Sequence, residues 1–534
     1  MTSREVLLLG SAPHSGKWRV QPNRWTTLAA SMIAELCGGT MYLFGLYSGD
    51  ISATLGFSQT QTDSIALLSN IGNFCNIFSG IAMDALGAKA VILLGCFLNC
   101  VGYVLMWLGA TQRISVGLTP MLLFALIWGN GSGWFDTAVM TTNLQNFPRQ
   151  RGLVSGLLKS FFGLSASVLT LLYDSLFKPD TGAFILFLGM GISGLGLLLV
   201  PFFDKSDAGL ADADTRGLSV RGRILCGYAV VVLCCAYLAA ISITDAIRPD
   251  LLPTEGDAKD WLAGGLALVL CLFLLLPVGT ERPLQCGAGV RRESAAEALS
   301  SASEARPTTR AELHVLEALL EADWWLVFFV SWLGMGSGLV VVNNVAALAE
   351  SLGADEGQEL TLVSLLSIGN AVGRMLFGGL SDACLQCVPR TGWLVVASAI
   401  MLGCMLFLLF GNLQTLYFGC TMVGLAYGAF WGLVPTLTID LFGATHFGKN
   451  YTVMCFAPAA ASLTMATALA GTVYDHFAEQ QASEVCVGPE CFAITLIVCA
   501  GLCGVALLLS IVLVVRTVPF YRELAETLYS SKAK

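Results

Sequence analysis

Apolar stretches of about 17 to 25 residues recur along almost the whole chain, the length a helix needs to cross the hydrocarbon core of a bilayer. Six come first, at roughly 24 to 48, 62 to 84, 88 to 110, 119 to 144, 152 to 175 and 182 to 203. A pair follows at about 224 to 244 and 260 to 279. Six more close the chain, at about 324 to 346, 360 to 382, 391 to 411, 414 to 439, 449 to 474 and 492 to 516. The pattern predicts an all-α polytopic membrane protein of about 14 spans, with six-helix bundles at 24–203 and 324–516. Between them, 204–279 carries the extra helix pair and 280–323 is a polar linker, while 1–23 and 517–534 are tails. In the linker, Pro307, Thr309 and Glu312 have capping-box spacing ahead of Leu313, Leu316, Leu319 and Leu320. That predicts a short helix lying along the membrane face.

Composition sharpens the class. The 534 residues are 55% hydrophobic and 12% charged, with a mean hydropathy of +0.73, whereas a soluble enzyme is normally about a quarter charged. The lipid bilayer is therefore one partner, and a net charge of −9 argues against nucleic acid as another. Four scattered histidines form no catalytic or metal cluster, and no membrane face collects the His, Asp and Ser or Cys of an enzyme. No cofactor is expected. A Gly-x-x-x-x-Gly-Lys-Ser/Thr phosphate loop is missing, which points to a gradient rather than ATP as the driving force.

Sidedness follows from the basic residues. The first 23 residues carry Arg4, Lys17 and Arg19 without a sustained apolar core, so they do not read as a cleavable leader. Starting from a cytosolic N-terminus, alternate loops place 22 of the 28 basic residues inside and four outside. Both termini are then cytosolic, with the plasma membrane expected ahead of endosomal, lysosomal or vacuolar membranes. Cys486 and Cys491 share the last external loop, where an oxidising space would permit a local disulfide. The Cys384-x-x-Cys387 pair has no second pair or histidine with it and reads as neither a zinc nor a redox site.

The two six-helix blocks look like copies. Gly80 and Asp84 follow Trp25 by 55 and 59 residues, and Gly378 and Asp382 follow Trp324 by 54 and 58. Two matched halves rocking about a midplane site are the plan of major facilitator transporters. The signature loop of that superfamily reads Gly-x-x-x-Asp-Arg-x-Gly-Arg-Lys. Gly80, Asp84, Gly87 and Lys89 match it, whereas Ala85 and Ala88 replace the arginines, which implies a weaker cytosolic latch. Gly373, Arg374, Gly378, Ser381 and Asp382 resemble the form seen in monocarboxylate and oxalate/formate carriers. The segments Tyr42 to Gln61, Gly102 to Ile114 and Asn146 to Tyr173 resemble the nodulin-like family of the same superfamily. The resemblance implies a transporter of small solutes, with iron handling and organic acids both represented among relatives. Leu171-Leu172-Tyr173 departs from it, since the family often has a glutamine before the leucine and tyrosine.

An ionisable group at membrane depth is costly and tends to be paired or functional. Glu35 lies near the middle of the first span, with Ser31, Gly38, Gly39, Tyr42 and Gly49 on its face. It reads either as a glutamate hydrogen-bonded between helices or, preferred here, as a coupling carboxylate that exchanges a proton or cation. Asp136 and Lys159 lie in the cytosolic third of adjacent spans and are expected to pair, as a structural bridge, a gate or a cargo contact. Tyr173 shares the face of Lys159, Asn70 and Asn73 lie on an amide-rich stripe of the second span, and Asn343 and Asn344 end the first helix of the second block. Glu35, Tyr42, Asn70, Asn73, Asp136, Lys159, Tyr173, Asn343 and Asn344 are the candidates for a transport cavity. Gly80, Asp84, Gly87, Lys89, Arg374, Gly378 and Asp382 are the candidates for a cytosolic gate, in which Arg374 and Asp382 form the second half's latch. The expected function is secondary transport by alternating access, coupled to protons or another gradient, of a metal-related cargo or a small organic anion. The alternative is a membrane sensor that keeps the carrier fold. Oligomeric state and any metal site are left open.

Overall fold

The computed structural model describes residues 23–203, 219–247, 257–277, 309–481 and 486–530. The N-terminal tail, most of the polar linker with Pro307, and the last four residues lie outside the described residues. All described regular structure is helical. Fourteen helices account for the apolar stretches. The first six are α1 Arg24–Leu55, α2 Gln61–Leu86, α3 Ala88–Ala110, α4 Leu118–Asn146, α5 Arg151–Leu176 and α6 Thr181–Phe202. The extra pair is α7 Val220–Ile247 and α8 Asp257–Cys271. The last six are α9 Ala322–Asn343, α10 Thr361–Ala383, α11 Arg390–Leu408, α12 Leu413–Phe442, α13 Phe447–Gln480 and α14 Glu490–Ser530.

Among the described residues, 12 helices are long and apolar enough to cross a membrane. The two outside that number are α4 and the short apolar helix Trp261–Leu275 formed by α8 and its continuation. α4 has 29 residues, but its Gly-Asn-Gly-Ser-Gly run, Asp136 and paired threonines make it polar. It is covered by protein instead of lipid, with Gly129 through Asn143 almost all buried apart from Asn130.

Small residues bring the helices together. A Cβ added at Gly129 would stand 2.1 Å from the Ser69 carbonyl on α2, and one at Gly102 2.5 Å from the Trp128 amide on α4. The last six repeat the device. A Cβ added at Gly373 on α10 would stand 2.0 Å from the Leu425 carbonyl, and one at Gly428 on α12 2.0 Å from that of Asn370. Close backbone approach of this kind is how apolar helices associate where burial from water cannot drive them together.

Several helices are interrupted. α1 tightens to a 3-10 turn over Gly39–Leu43, where Ser165 Oγ on α5 donates to the Gly39 carbonyl at 2.9 Å and leaves no room for a Cβ. α2 breaks at Cys75 and Asn76 between Gln59–Phe74 and Ile77–Leu86. α13 breaks at Cys455 and widens over Ser462–Leu469.

The linker helix begins later than its spacing predicts. Glu312 accepts from the Thr309 hydroxyl at 2.9 Å, but its carboxylate also reaches across to the Ala444 and Thr445 amides, at 3.1 and 2.8 Å. Residues 310–313 run alongside the end of α12 instead, through Arg310 N to the Asp440 carbonyl and Leu313 N to the Phe442 carbonyl. The helix itself is Val315–Ala318, capped by His314 and Glu317.

Candidate transport site

The first and last six helices meet along two seams, α5 against α10 and α2 against α13. At mid-depth the seams enclose four charged side chains. Glu35 on α1 is fully buried, with neither carboxylate oxygen hydrogen-bonded; the charges acting on it belong to Asp136, Lys159 and Arg374. Lys159 Nζ donates to Asp136 Oδ1, and the hydroxyl of Tyr451 on α13 donates to Asp136 Oδ2 at 2.8 Å. Arg374 is 1% exposed. It donates to Asn370 Oδ1 at 2.8 Å, to the Lys159 carbonyl at 2.9 Å and to the Tyr42 hydroxyl at 3.3 Å. Among the described residues no carboxylate pairs with it.

Aromatic rings wall the cluster. Lys159 Nζ and the Arg374 guanidinium both lie over Phe162, at 5.4 and 5.5 Å, and over Trp431, at 5.0 and 5.7 Å. Cations over ring faces gain most where water is excluded. Trp431 stacks on Phe74 across the seam at 5.8 Å. The Tyr427 hydroxyl, the Trp431 indole nitrogen and Asn73 Oδ1 are buried without hydrogen-bond partners.

Toward the end that carries the basic loops, the contact tightens into a latch. Asp440, fully buried, accepts from Arg151 Nη1 at 3.0 Å, from Arg390 Nη1 and from the Tyr521 hydroxyl at 3.4 Å. Asp382 accepts from Arg390 Nη2 and, across the seam, from the Leu153 amide at 2.8 Å. On the other seam Lys449 pairs with Asp84 at 3.2 Å, beside His446 at 3.8 Å. A Cβ at Gly80 would stand 2.6 Å from the Gly448 carbonyl, and one at Gly378 2.6 Å from that of Gly152. The Gln145 amide adds a bond to the Ala444 carbonyl at 2.8 Å. Burial acts to raise the Glu312 pKa, but the Thr445 and Ala444 amides and the Thr445 and Thr309 hydroxyls outweigh it and hold the carboxyl below its ordinary value.

Toward the opposite end α1 has open space at two positions. Gly45 and Gly49, beyond Tyr42 on α1, have no atom within 4 Å of an added Cβ.

Of the candidates from the sequence, Glu35, Tyr42, Asp136 and Lys159 meet at mid-depth, with Asn73 on the buried face of α2 and Asn70 one turn away. Tyr173 lies apart, its hydroxyl 3.2 Å from that of Thr181, which donates to Asp50. Asn344 donates to the Val340 and Ala466 carbonyls at 2.8 and 3.1 Å, inside the last six helices, and Asn343 precedes it at the helix end. Gly80, Asp84, Gly378 and Asp382 lie at the latch, Gly87 starts α3 with φ of 80°, and Lys89 follows it. The expected Arg374–Asp382 latch is corrected. Eight residues of helix separate the two by about 12 Å, so Arg374 joins the mid-depth cluster and Arg390 takes its place beside Asp382. Cys486 and Cys491 are joined as a disulfide with Cα atoms 6.0 Å apart.

Arg151, Asn370, Arg390, Tyr427, Trp431, Asp440 and Tyr451 were not singled out from sequence. Asp440, an acid inside an apolar run, was the most legible of them. Arg151 and Arg390 resemble ordinary loop cations, Asn370 an ordinary helix amide and the rings core aromatics, and the partners of Arg151 and Tyr451 lie 289 and 315 residues away.

The helices define a polytopic membrane protein built of two six-helix bundles and an extra pair. Family models match along most of the chain: Nodulin-like over residues 24–280 and the NFD4 C-terminal domain over residues 310–523. The chain belongs to the nodulin-like family of the major facilitator superfamily, and so to the secondary transporters. It is similar to Protein NUCLEAR FUSION DEFECTIVE 4 of Arabidopsis thaliana, 25% identical over 96% of this chain and 91% of that one. It also resembles Apicoplast pyruvate carrier 1 of Toxoplasma gondii, 25% identical over 57% of this chain and 50% of the other. The proton:xylose symporter XylE, solved with 6-bromo-6-deoxy-D-glucose, shares the fold with a TM-score of 0.57 at 11% identity, covering 91% of this chain and 94% of that one.

Proposed function

We propose that the chain moves a small organic anion together with a proton by alternating access. The observation that carries this reading is the charge balance at mid-depth. Asp136 and Lys159 neutralise one another, which leaves Glu35 and Arg374 as one acid and one base. A guanidinium has five N–H donors. Three are used, all on neutral acceptors, so a cargo carboxylate would find donors free and would take the place of the Tyr42 hydroxyl. Such a charge-assisted contact is stronger than the neutral one it replaces.

An anion on Arg374 adds a negative charge to a site shielded from water. A proton on Glu35, whose oxygens no donor reaches, restores neutrality. One proton per monoanion follows, and the net movement carries no charge. The relative named as a pyruvate carrier supports an organic acid as cargo. Among the described residues there is no group of three or more His, Cys, Asp or Glu that could hold a metal ion. With the basic end taken as cytosolic, the latched state faces outward.

Full-length protein in proteoliposomes tests the reading, with pyruvate as probe. An inward acid gradient is expected to drive accumulation, and clamping the membrane potential is expected to leave the rate unchanged. Arg374→Gln removes a charged hydrogen bond of about 1.5–3 kcal/mol and should slow uptake at least about tenfold. Accumulation of ferrous iron without any carboxylate would reject the organic anion. A cargo that shifts thermal stability with no flux would favour the sensor.

A further inference from the structure

The extra helix pair has no counterpart in a plan of two matched six-helix halves, and where it packs gives it a task. α7 and α8 lie against α5, and α7 also packs on α10. They therefore cover the seam along which the halves separate when the basic end opens. The attachments to the first half are specific. Arg223 on α7 lies over the Trp25 ring of α1 at 5.3 Å and donates to the Leu276 carbonyl at 2.7 Å, tying the two helices of the pair together. Phe273 packs edge-on against Phe161 of α5 at 5.8 Å, and an added Cβ at Gly227 would touch Leu157.

α7 runs along α10 as well as along α5, and one of its side chains touches both. The Tyr228 hydroxyl donates to the Leu153 carbonyl on α5 at 2.9 Å, while its ring lies 3.2 Å from a Cβ built on Gly379 of α10. Leu153 is also the residue whose amide donates to Asp382 on α10. Gly156, which meets Gly378 across the seam, lies beside the same tyrosine: a Cβ at Gly156 would stand 2.6 Å from the Tyr228 oxygen. The ring thus fills the groove beside the gate only while α5 and α10 are together.

We propose that the extra helix pair is a brace fixed to the first half, and that Tyr228 is a positioning residue that holds the basic end closed by pinning Leu153 to the latch. Opening that end pulls α10 off the ring and uncovers it. The brace rests on the alternating-access reading above but not on the identity of the cargo.

The test uses full-length protein in proteoliposomes with reporter cysteines at Gln145→Cys, in the latch, and Gly45→Cys, toward the opposite end of α1. The rate of maleimide modification is followed on the peptide bearing each reporter, so native cysteines do not interfere. Tyr228→Phe keeps the ring and loses a hydrogen bond of ordinary strength. It should speed labelling at 145 by about two- to tenfold and slow it at 45. Tyr228→Ala, which also empties the groove, should exceed it. Equal labelling in the parent and in both variants overturns the brace, as does acceleration at both sites together, which would signal loosening rather than a shift of state. If the reporters move oppositely in Arg374→Gln or Glu35→Gln but not in the Tyr228 variants, alternating access stands and the brace falls. If they never move oppositely in any variant, both fall.

Discussion

Glu35 and Asp136 differ in what surrounds their oxygens. Asp136 has Lys159 and Tyr451 as donors, so its charge is already spoken for, whereas Glu35 is buried beside them with no donor on either oxygen. In the proposed symport cycle the proton is therefore assigned to Glu35. Glu35→Gln mimics the protonated form permanently: uptake should lose its dependence on the acid gradient while counter-exchange of cargo continues. Retained pH dependence would remove Glu35 from coupling. Asp136 is tested differently, since removing one member of a buried pair strands the other at a cost of about 3–5 kcal/mol. Asp136→Asn is expected to lower thermal stability sharply, and Asp136→Asn with Lys159→Met to recover most of it without recovering transport. If the single and double changes melt alike, the pair contributes no stability.

Helices were legible because their signal is long and one-dimensional: an apolar run of about 20 residues reads the same whatever it packs against. Interruptions inside those runs were not. Gly39–Leu43 tightens because Ser165, 126 residues later, needs to reach the Gly39 carbonyl, and hydropathy contains no trace of such a contact. The site divides the same way. Glu35, Asp136 and Lys159 stand out as charges in apolar surroundings, whereas Arg390 opens a helix after a polar loop, and nothing in the sequence separates Tyr451 and Trp431 from other aromatics in apolar runs. The linker misled because Thr309 and Glu312 have the right spacing for a cap, yet Glu312 gains more from the two amides of the 443–446 turn. That choice has a pH signature. A carboxyl held below its ordinary value stabilises the fold above its unfolded pKa of about 4.3, and the contribution is lost as pH falls through the lower folded value. The difference in thermal stability between the parent and Glu312→Gln should therefore be constant near neutrality and shrink in acid. A difference that grows in acid would contradict the assignment.

At the scale of the molecule, the two seams are not equally strong. On the α2–α13 side, Asp84 pairs with Lys449, whose side chain is 33% exposed, and partly exposed pairs contribute about 0.2–1 kcal/mol. On the α5–α10 side, Asp440 is fully buried and binds Arg151 from the first half together with Arg390 from the second. Breaking a buried pair costs several kilocalories per mole, and on the alternating-access reading the Arg151–Asp440 contact, the part that joins the two halves, breaks when the basic end opens. Asp440→Asn and Asp84→Asn both delete one carboxylate charge at the same end of the protein, so a model in which net charge holds the gate predicts equal effects. Geometry predicts unequal ones. With the cysteine reporter at Gln145, Asp440→Asn should raise labelling more than about tenfold, since every 1.4 kcal/mol is a factor of ten, while Asp84→Asn should raise it only about two- to fivefold. The opposite order would place the dominant latch on the α2–α13 seam, and Arg151, Arg390 and Asp440 would then be a structural network that the transport cycle leaves intact.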